Sequence, residues 1–203
     1  MSVAKEHVRP RVEGAREGEI LDACLIELLE TGYDRLTMDA VAQRAKASKA
    51  TLYRRWESKS SLVVDAILRS KHSATSGPPD TGSLRGDLLA LFCGPGGKTP
   101  RDTRVLAAVL TALTTDEELG RDFRARFLAP KLALMQAVYR RAEERGELAP
   151  GVDPDLLGPA LAGILLHRTY VLGLPVTPDV VTRVVDQIIL PAATGRPFLQ
   201  ETP

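Results

Sequence analysis

The stretch Ala45-Lys46-Ala47-Ser48-Lys49-Ala50-Thr51-Leu52-Tyr53-Arg54-Arg55-Trp56 decides the fold. Ser48 carries a hydroxyl suited to cap a helix start. The helix it opens, Lys49 to Trp56, is too short to stand alone, because isolated helices below about 12 residues are marginal in water. It must lean on neighbours. Leu52 and Trp56, four apart, share one face and supply the apolar anchor. Lys49, Thr51, Tyr53 and Arg54 are left as candidate groove or phosphate contacts, with Ala50 keeping the leading edge small.

Upstream, Leu21, Cys24, Leu25, Leu28 and Leu29 recur at helical spacing between Glu17 and Thr31, and Gly32 punctuates the end. Thr37 caps a second helix with Met38, Val41, Ala42 and Ala45 on its inner face, ending near Lys46. The order is helix, short helix, turn, short helix: a helix-turn-helix, in which one helix braces another against the DNA major groove. Ser58 opens a further helix with Leu62, Ala66 and Ile67 inward, and Ser73 to Ser83 is a Pro/Gly/Ser-rich break.

The rest also reads as helices: Leu84–Cys93, Arg101–Leu113, a long run from Asp116 to Glu144 that Pro130 kinks or divides, Asp153–Val171 and Asp179–Leu190. The expected architecture is all-α, with a three-helix headpiece and a C-terminal helical domain. Its divisions are a flexible arm over 1–15, a helix-turn-helix DNA-binding domain over 16–60, a larger helical domain over 61–192 and a tail over 193–203. Only Phe198 and Leu199 offer anchors in that tail.

Composition agrees with a globular chain: 203 residues, 44% hydrophobic and 26% charged. A formal charge of +1 means that any nucleic-acid surface must come from local segregation. Arg44, Lys46, Lys49, Arg54, Arg55 and Lys59 stand against the single acid Glu57 between residues 44 and 59. Cys24 and Cys93 are far apart in apolar surroundings, which disfavours a disulfide scaffold or thiolate metal cluster and points to the cytoplasm. No run reaches the roughly 18 apolar residues of a membrane span. His7, His72 and His167 are isolated, and no metal spacing or Ser/His/Asp arrangement is evident, so an enzyme is disfavoured and no cofactor or metal is expected. A helical module that docks an acidic protein on the basic patch is the other alternative.

Gly32-Tyr33-Asp34-Arg35-Leu36-Thr37-Met38-Asp39-Ala40-Val41-Ala42, followed by residues 45–56 and Ser58-Lys59, resembles the DNA-binding domain of TetR-family transcriptional regulators. The resemblance implies a homodimeric, ligand-released repressor on a palindromic double-stranded operator, with residues 61–192 as its C-terminal helical ligand-binding, effector and dimerisation domain. It also implies that Thr37 and Lys59 meet backbone phosphate, that Ser48 and Thr51 lie at the DNA surface, and that Tyr53 makes an aromatic phosphate or groove contact. Arg44 is read equally as a phosphate contact or a surface charge; Arg54 and Arg55 lie near DNA, without a division between phosphate and base. The chain departs from the family where Lys46 replaces the usual turn glycine, where Ala47 and Ala50 stand, and where Arg55 precedes Trp56. These departures bear on the operator sequence.

Phe123, Phe127, Met135, Tyr139, His167 and Tyr170 are candidates for a largely apolar effector pocket, although a core seam between helices is the commoner use of such residues. Ala160, Ala162, Gly163, Leu165 and Leu166, with Val181, Val184, Val185 and Ile188, are the expected dimer seam. A two-fold pair would set its recognition helices about 34–36 Å apart.

Overall fold

The computed structural model describes residues 11–70, 77–94 and 100–195. In chain order the helices are α1 (Arg11–Thr31), α2 (Met38–Arg44), α3 (Lys49–Arg55), α4 (Lys59–Ser70), α5 (Leu84–Cys93), α6 (Pro100–Leu110), α7 (Ala112–Thr115), α8 (Glu117–Phe123), α9 (Ala129–Glu144), α10 (Pro154–Leu166), α11 (Pro178–Val184) and α12 (Leu190–Thr194). Three π-helical turns, Arg124–Leu128, His167–Val171 and Val185–Ile189, follow α8, α10 and α11. Every regular element among the described residues is helical.

The chain packs as two compact units: residues 1–71 with 100–127, and residues 72–99 with 128–203. This division by packing differs from the division by role expected from sequence, because α6 to α8 share a core with the headpiece. In the first unit α1 packs on α2, α4 and α6, and α4 also meets α8. Cys24, Leu28, Val41, Leu52, Leu62, Val105 and Leu119 are fully buried there. Burial pushes the Cys24 thiol far above its ordinary range, so it behaves as a small apolar side chain. In the second unit α9 packs on α5 and α10, and α11 on α5 and α10.

Several boundaries differ from the sequence expectation. Helix α1 begins at Arg11, inside the span expected to be an arm; residues 1–10 lie outside the described residues. The helical run near the C-terminus continues to Thr194, with Ala193 buried and its carbonyl accepting from Ala149 N at 2.8 Å. Phe198 and Leu199 lie outside the described residues. The expected helix 101–113 divides into α6 and α7. The division expected at Pro130 occurs as a π turn immediately before α9, and the turn at 185–189 likewise precedes Pro191. Proline has no N–H to give the carbonyl four residues back, and a locally wider helical turn accommodates that missing bond.

A polar clasp holds the segment before α5 in the second unit. Asp87, fully buried, accepts from Thr81 N at 2.6 Å and Thr81 Oγ1 at 2.8 Å, and pairs with Arg145 at 3.2 Å. Glu147 accepts from Leu84 N at 2.7 Å. Arg141 adds a bond to the Pro79 carbonyl.

Candidate nucleic-acid interface

Local chemistry builds the headpiece as the side chains dictate. Thr37 is extended at φ −128° and its hydroxyl accepts from Ala40 N at 3.1 Å, capping α2. Ser48 does the same for α3, accepting from Thr51 N at 3.1 Å, and its hydroxyl also bonds that of Thr51 at 2.8 Å. Between these helices Lys46 sits at φ +51°. Lys46 N bonds Gln43 O and Ala47 N bonds Ala42 O, which is the left-handed closure that glycine usually provides. Arg16 donates to the Lys46 carbonyl at 2.6 Å and ties the turn to α1.

On α3 the apolar side is inside and the polar side is outside. Leu52 is 0% and Trp56 2% exposed, whereas Tyr53 is 55% exposed and Lys49, Ala50, Arg54 and Arg55 are exposed. The Trp56 indole donates to Asp65 Oδ2 at 2.7 Å, so its one polar atom is satisfied in the core. Thr51 is half-buried beside Ser48.

The six cations of this patch are not equally available. Arg44 pairs with Glu27 at 2.8 Å and with Glu30. Lys49 pairs with Asp39, and Arg55 with Glu17 at 3.0 Å while lying 5.6 Å over the Trp56 ring. Lys59, half-buried, donates to the Tyr33 carbonyl at 3.2 Å and lies 4.0 Å over the Tyr33 ring. Arg54 and Lys46 are exposed and have no ion-pair partner among the described residues.

Sequence reasoning missed three groups around Lys59 and its neighbours. Tyr33, 3% exposed, donates its hydroxyl to Asp116 Oδ2 at 2.8 Å. Asp116 Oδ1 accepts from Leu119 N at 2.9 Å and so caps α8. The bonds from Leu119 and Tyr33 hold the Asp116 carboxyl below its ordinary pKa, while burial and then Asp116 push Tyr33 well above its own. The hydroxyls of Ser58 and Ser60 lower the pKa of the exposed Glu118 carboxyl too. A cap at Asp116 is readable from sequence, since Asp precedes two acids and a helical run; its partner, 83 residues away, is not.

The six pocket candidates are not gathered into one cluster. Phe123 and Phe127, ring centroids 4.6 Å apart, belong to the core of the first unit, and Met135 and Tyr139 to that of the second. His167 is exposed and Tyr170 half-buried. The expected dimer seam also needs correction. Leu165, Val181, Val184 and Val185 are buried in their own chain, against α5 and the neighbouring helices, whereas Ile188 is 48% exposed and nothing lies within 4 Å of a side chain built on Gly163.

Residues 20–66 match the family model for bacterial regulatory proteins of the tetR family, and residues 78–188, more than half the chain, match the tetracyclin repressor-like C-terminal domain. The chain belongs to the TetR family of transcriptional regulators. An uncharacterized HTH-type transcriptional regulator of Mycobacterium bovis is 38% identical over 195 residues, covering 95% of each chain. A DNA-binding transcriptional repressor TetR of Mycobacteroides abscessus is 35% identical over 180 residues, covering 86% of this chain and 92% of the relative. Among solved structures, the TetR family transcription regulator SCO0332 matches with a TM-score of 0.59 at 30% identity, covering 86% of this chain and 96% of that one. GusR of Salmonella enterica shares the fold, with a TM-score of 0.64 at 17% identity and coverage of 90% and 96%. As a TetR-family member the chain is an HTH-type DNA-binding regulator rather than an enzyme. No helix among the described residues is long and apolar enough to cross a membrane.

Proposed function

We propose that this TetR-family regulator is a ligand-released homodimeric repressor that binds a palindromic operator. The observation that carries the reading is α3 itself: Leu52 and Trp56 are locked inside while Tyr53 and Arg54 stand free on the other side. Arg54 is the cation best placed to reach a base edge, because a guanidinium without an internal carboxylate gives up no ion pair on meeting DNA. Thr37, Ser48 and Thr51 serve as hydroxyl contacts at the edges of the phosphate track, and Lys59 meets a phosphate. Arg44, Lys49 and Arg55 contribute after exchanging their carboxylates for phosphates.

Dimerisation is assigned to the second unit, whose exposed apolar side chains include Leu156 at 72% and Ile188 at 48%. The effector site is assigned to the same unit around Tyr139 and Met135, with Tyr170 and His167 on the later turn; Phe123 and Phe127 are kept as core. Tyr139 favours this reading because its hydroxyl is buried with no hydrogen-bond partner among the described residues, and burial pushes its pKa up to about 12. A buried donor without a partner costs about 1–3 kcal/mol, which a bound polar group would recover. The effector can release DNA only as far as it prefers the conformation that fits DNA poorly.

Selection of genomic fragments by the purified protein tests the reading. A shared palindrome with half-sites about one helical turn apart is expected. Selection of no duplex sinks it.

A further inference from the structure

A partly buried polar line joins the N-cap of α8 to the start of α4. Its members are Asp116, Tyr33 and Lys59. Asp116 fixes the Tyr33 hydroxyl at 2.8 Å, the Tyr33 ring lies under the Lys59 ammonium at 4.0 Å, and the Tyr33 carbonyl accepts from it at 3.2 Å. A lysine side chain otherwise samples many rotamers, and holding its head in one place removes that freedom before a phosphate arrives. Ser58 and Ser60, on either side of Lys59 in the chain, bond each other through their hydroxyls at 2.9 Å and lower the pKa of the exposed Glu118 carboxyl.

We propose that Asp116 is a positioning residue for DNA binding, which acts through Tyr33 to hold Lys59 where a backbone phosphate is met. This rests on the operator-binding reading and adds a residue that touches no DNA. It also makes α8 a reporter: any shift of its first turn changes the geometry of a phosphate contact. The charge of Asp116 alone would act in the opposite direction, since a carboxylate near the phosphate track repels DNA. Positioning and simple electrostatics thus predict effects of opposite sign.

The test uses the full chain and the duplex that the wild-type protein itself selects, with affinity measured across a salt series. Tyr33→Phe keeps the ring and removes the hydroxyl. Asp116→Ser keeps a good helix cap but is too short to reach Tyr33. Both variants are expected to bind about 3–10-fold more weakly and to lose part of the roughly one unit of salt slope that Lys59→Ala loses. In the Lys59→Ala background neither should cost anything further, and the Tyr33→Phe/Asp116→Ser double variant should be no weaker than either alone. Thermal melting separates a fold defect: a variant that melts early but still obeys the non-additivity supports the assignment. Losses that add to that of Lys59→Ala, or tighter binding by Asp116→Ser, overturn it. If the wild-type protein selects no duplex, operator binding falls and this assignment falls with it; additive variants on a bound duplex defeat this assignment alone.

Discussion

Lys46 and Gly146 hold the same left-handed position just past the ends of two helices, at φ of 51° and 70°. The bonding is the same: Gly146 N to Glu143 O with Glu147 N to Ala142 O, and Lys46 N to Gln43 O with Ala47 N to Ala42 O. A side chain in that conformation costs about 1–2 kcal/mol, and glycine returns part of the gain through the entropy of the unfolded chain. Lys46→Gly is therefore expected to stabilise the headpiece by about 0.5–1 kcal/mol, read by urea unfolding. The Arg16 bond survives because it goes to the backbone carbonyl. A midpoint that falls would show that the lysine conformation carries no strain.

Arg54 and Arg55 are adjacent on the surface of α3, yet only Arg55 has an internal carboxylate, Glu17 at 3.0 Å. Arg54→Ala should weaken operator binding by about 1–3 kcal/mol and relax preference at one base pair if it reads a base edge. Arg55→Ala should cost less. Glu17→Gln should tighten binding slightly, since the exposed pair it breaks is worth no more than about 1 kcal/mol. Binding titrations at fixed salt decide; equal losses for the two arginines would contradict the ordering.

Trp56 joins packing to a hydrogen bond. Trp56→Ala should cost about 3–5 kcal/mol of headpiece stability from cavity and transfer terms. Trp56→Phe should cost much less, on the order of 1–2 kcal/mol, as a smaller ring with the Asp65 bond lost. Because Asp65 also pairs with Arg126, its carboxylate keeps a partner in either variant. Calorimetric melting of the two variants checks the ranking.

The Tyr33–Asp116 bond marks both ends of the pH scale. Asp116 has a lowered pKa, so the stability it contributes is present above its ordinary value of 3.8 and is lost as pH falls through the lower folded value. Tyr33 has a raised pKa, so its contribution is present below 10.0 and is lost as pH rises above that. Asp116→Ser should flatten the acid side of a melting-temperature profile, and Tyr33→Phe the alkaline side. Unchanged limbs would exclude the bond from the pH response.

The clasp around Asp87 yields an asymmetric prediction. Arg145→Met leaves a fully buried carboxylate with only Thr81 as donor and should cost about 3 kcal/mol. Asp87→Asn should cost less, because Arg145 keeps Glu147 and lies near Asp80. Urea unfolding of both variants compares them directly.

What the sequence made legible was local. Thr37 and Ser48 cap α2 and α3 because a hydroxyl three residues before a free N–H is a short-range arrangement, and the four-residue spacing of Leu52 and Trp56 selects one helix face whatever lies beyond it. Phase alone does not say which chain covers that face, so Val181, Val184 and Val185 read as a seam between copies although their own chain buries them. Aromatic residues spaced along one helical run, such as Phe127 and Tyr139, belong to different cores because the boundary between the two units falls between them. Partners distant in sequence, Glu17 for Arg55 and Asp116 for Tyr33, depend on tertiary packing and leave no local trace.

The carboxylates that already hold Arg44, Lys49 and Arg55 must be displaced before those side chains can serve a phosphate. Random chromosomal sequence, which offers little beyond its charge, is thereby a poorer competitor than it would be for a headpiece with six idle cations. On the operator-binding reading proposed above, fewer copies would then be held on random sequence and a larger free pool would remain to search for the operator.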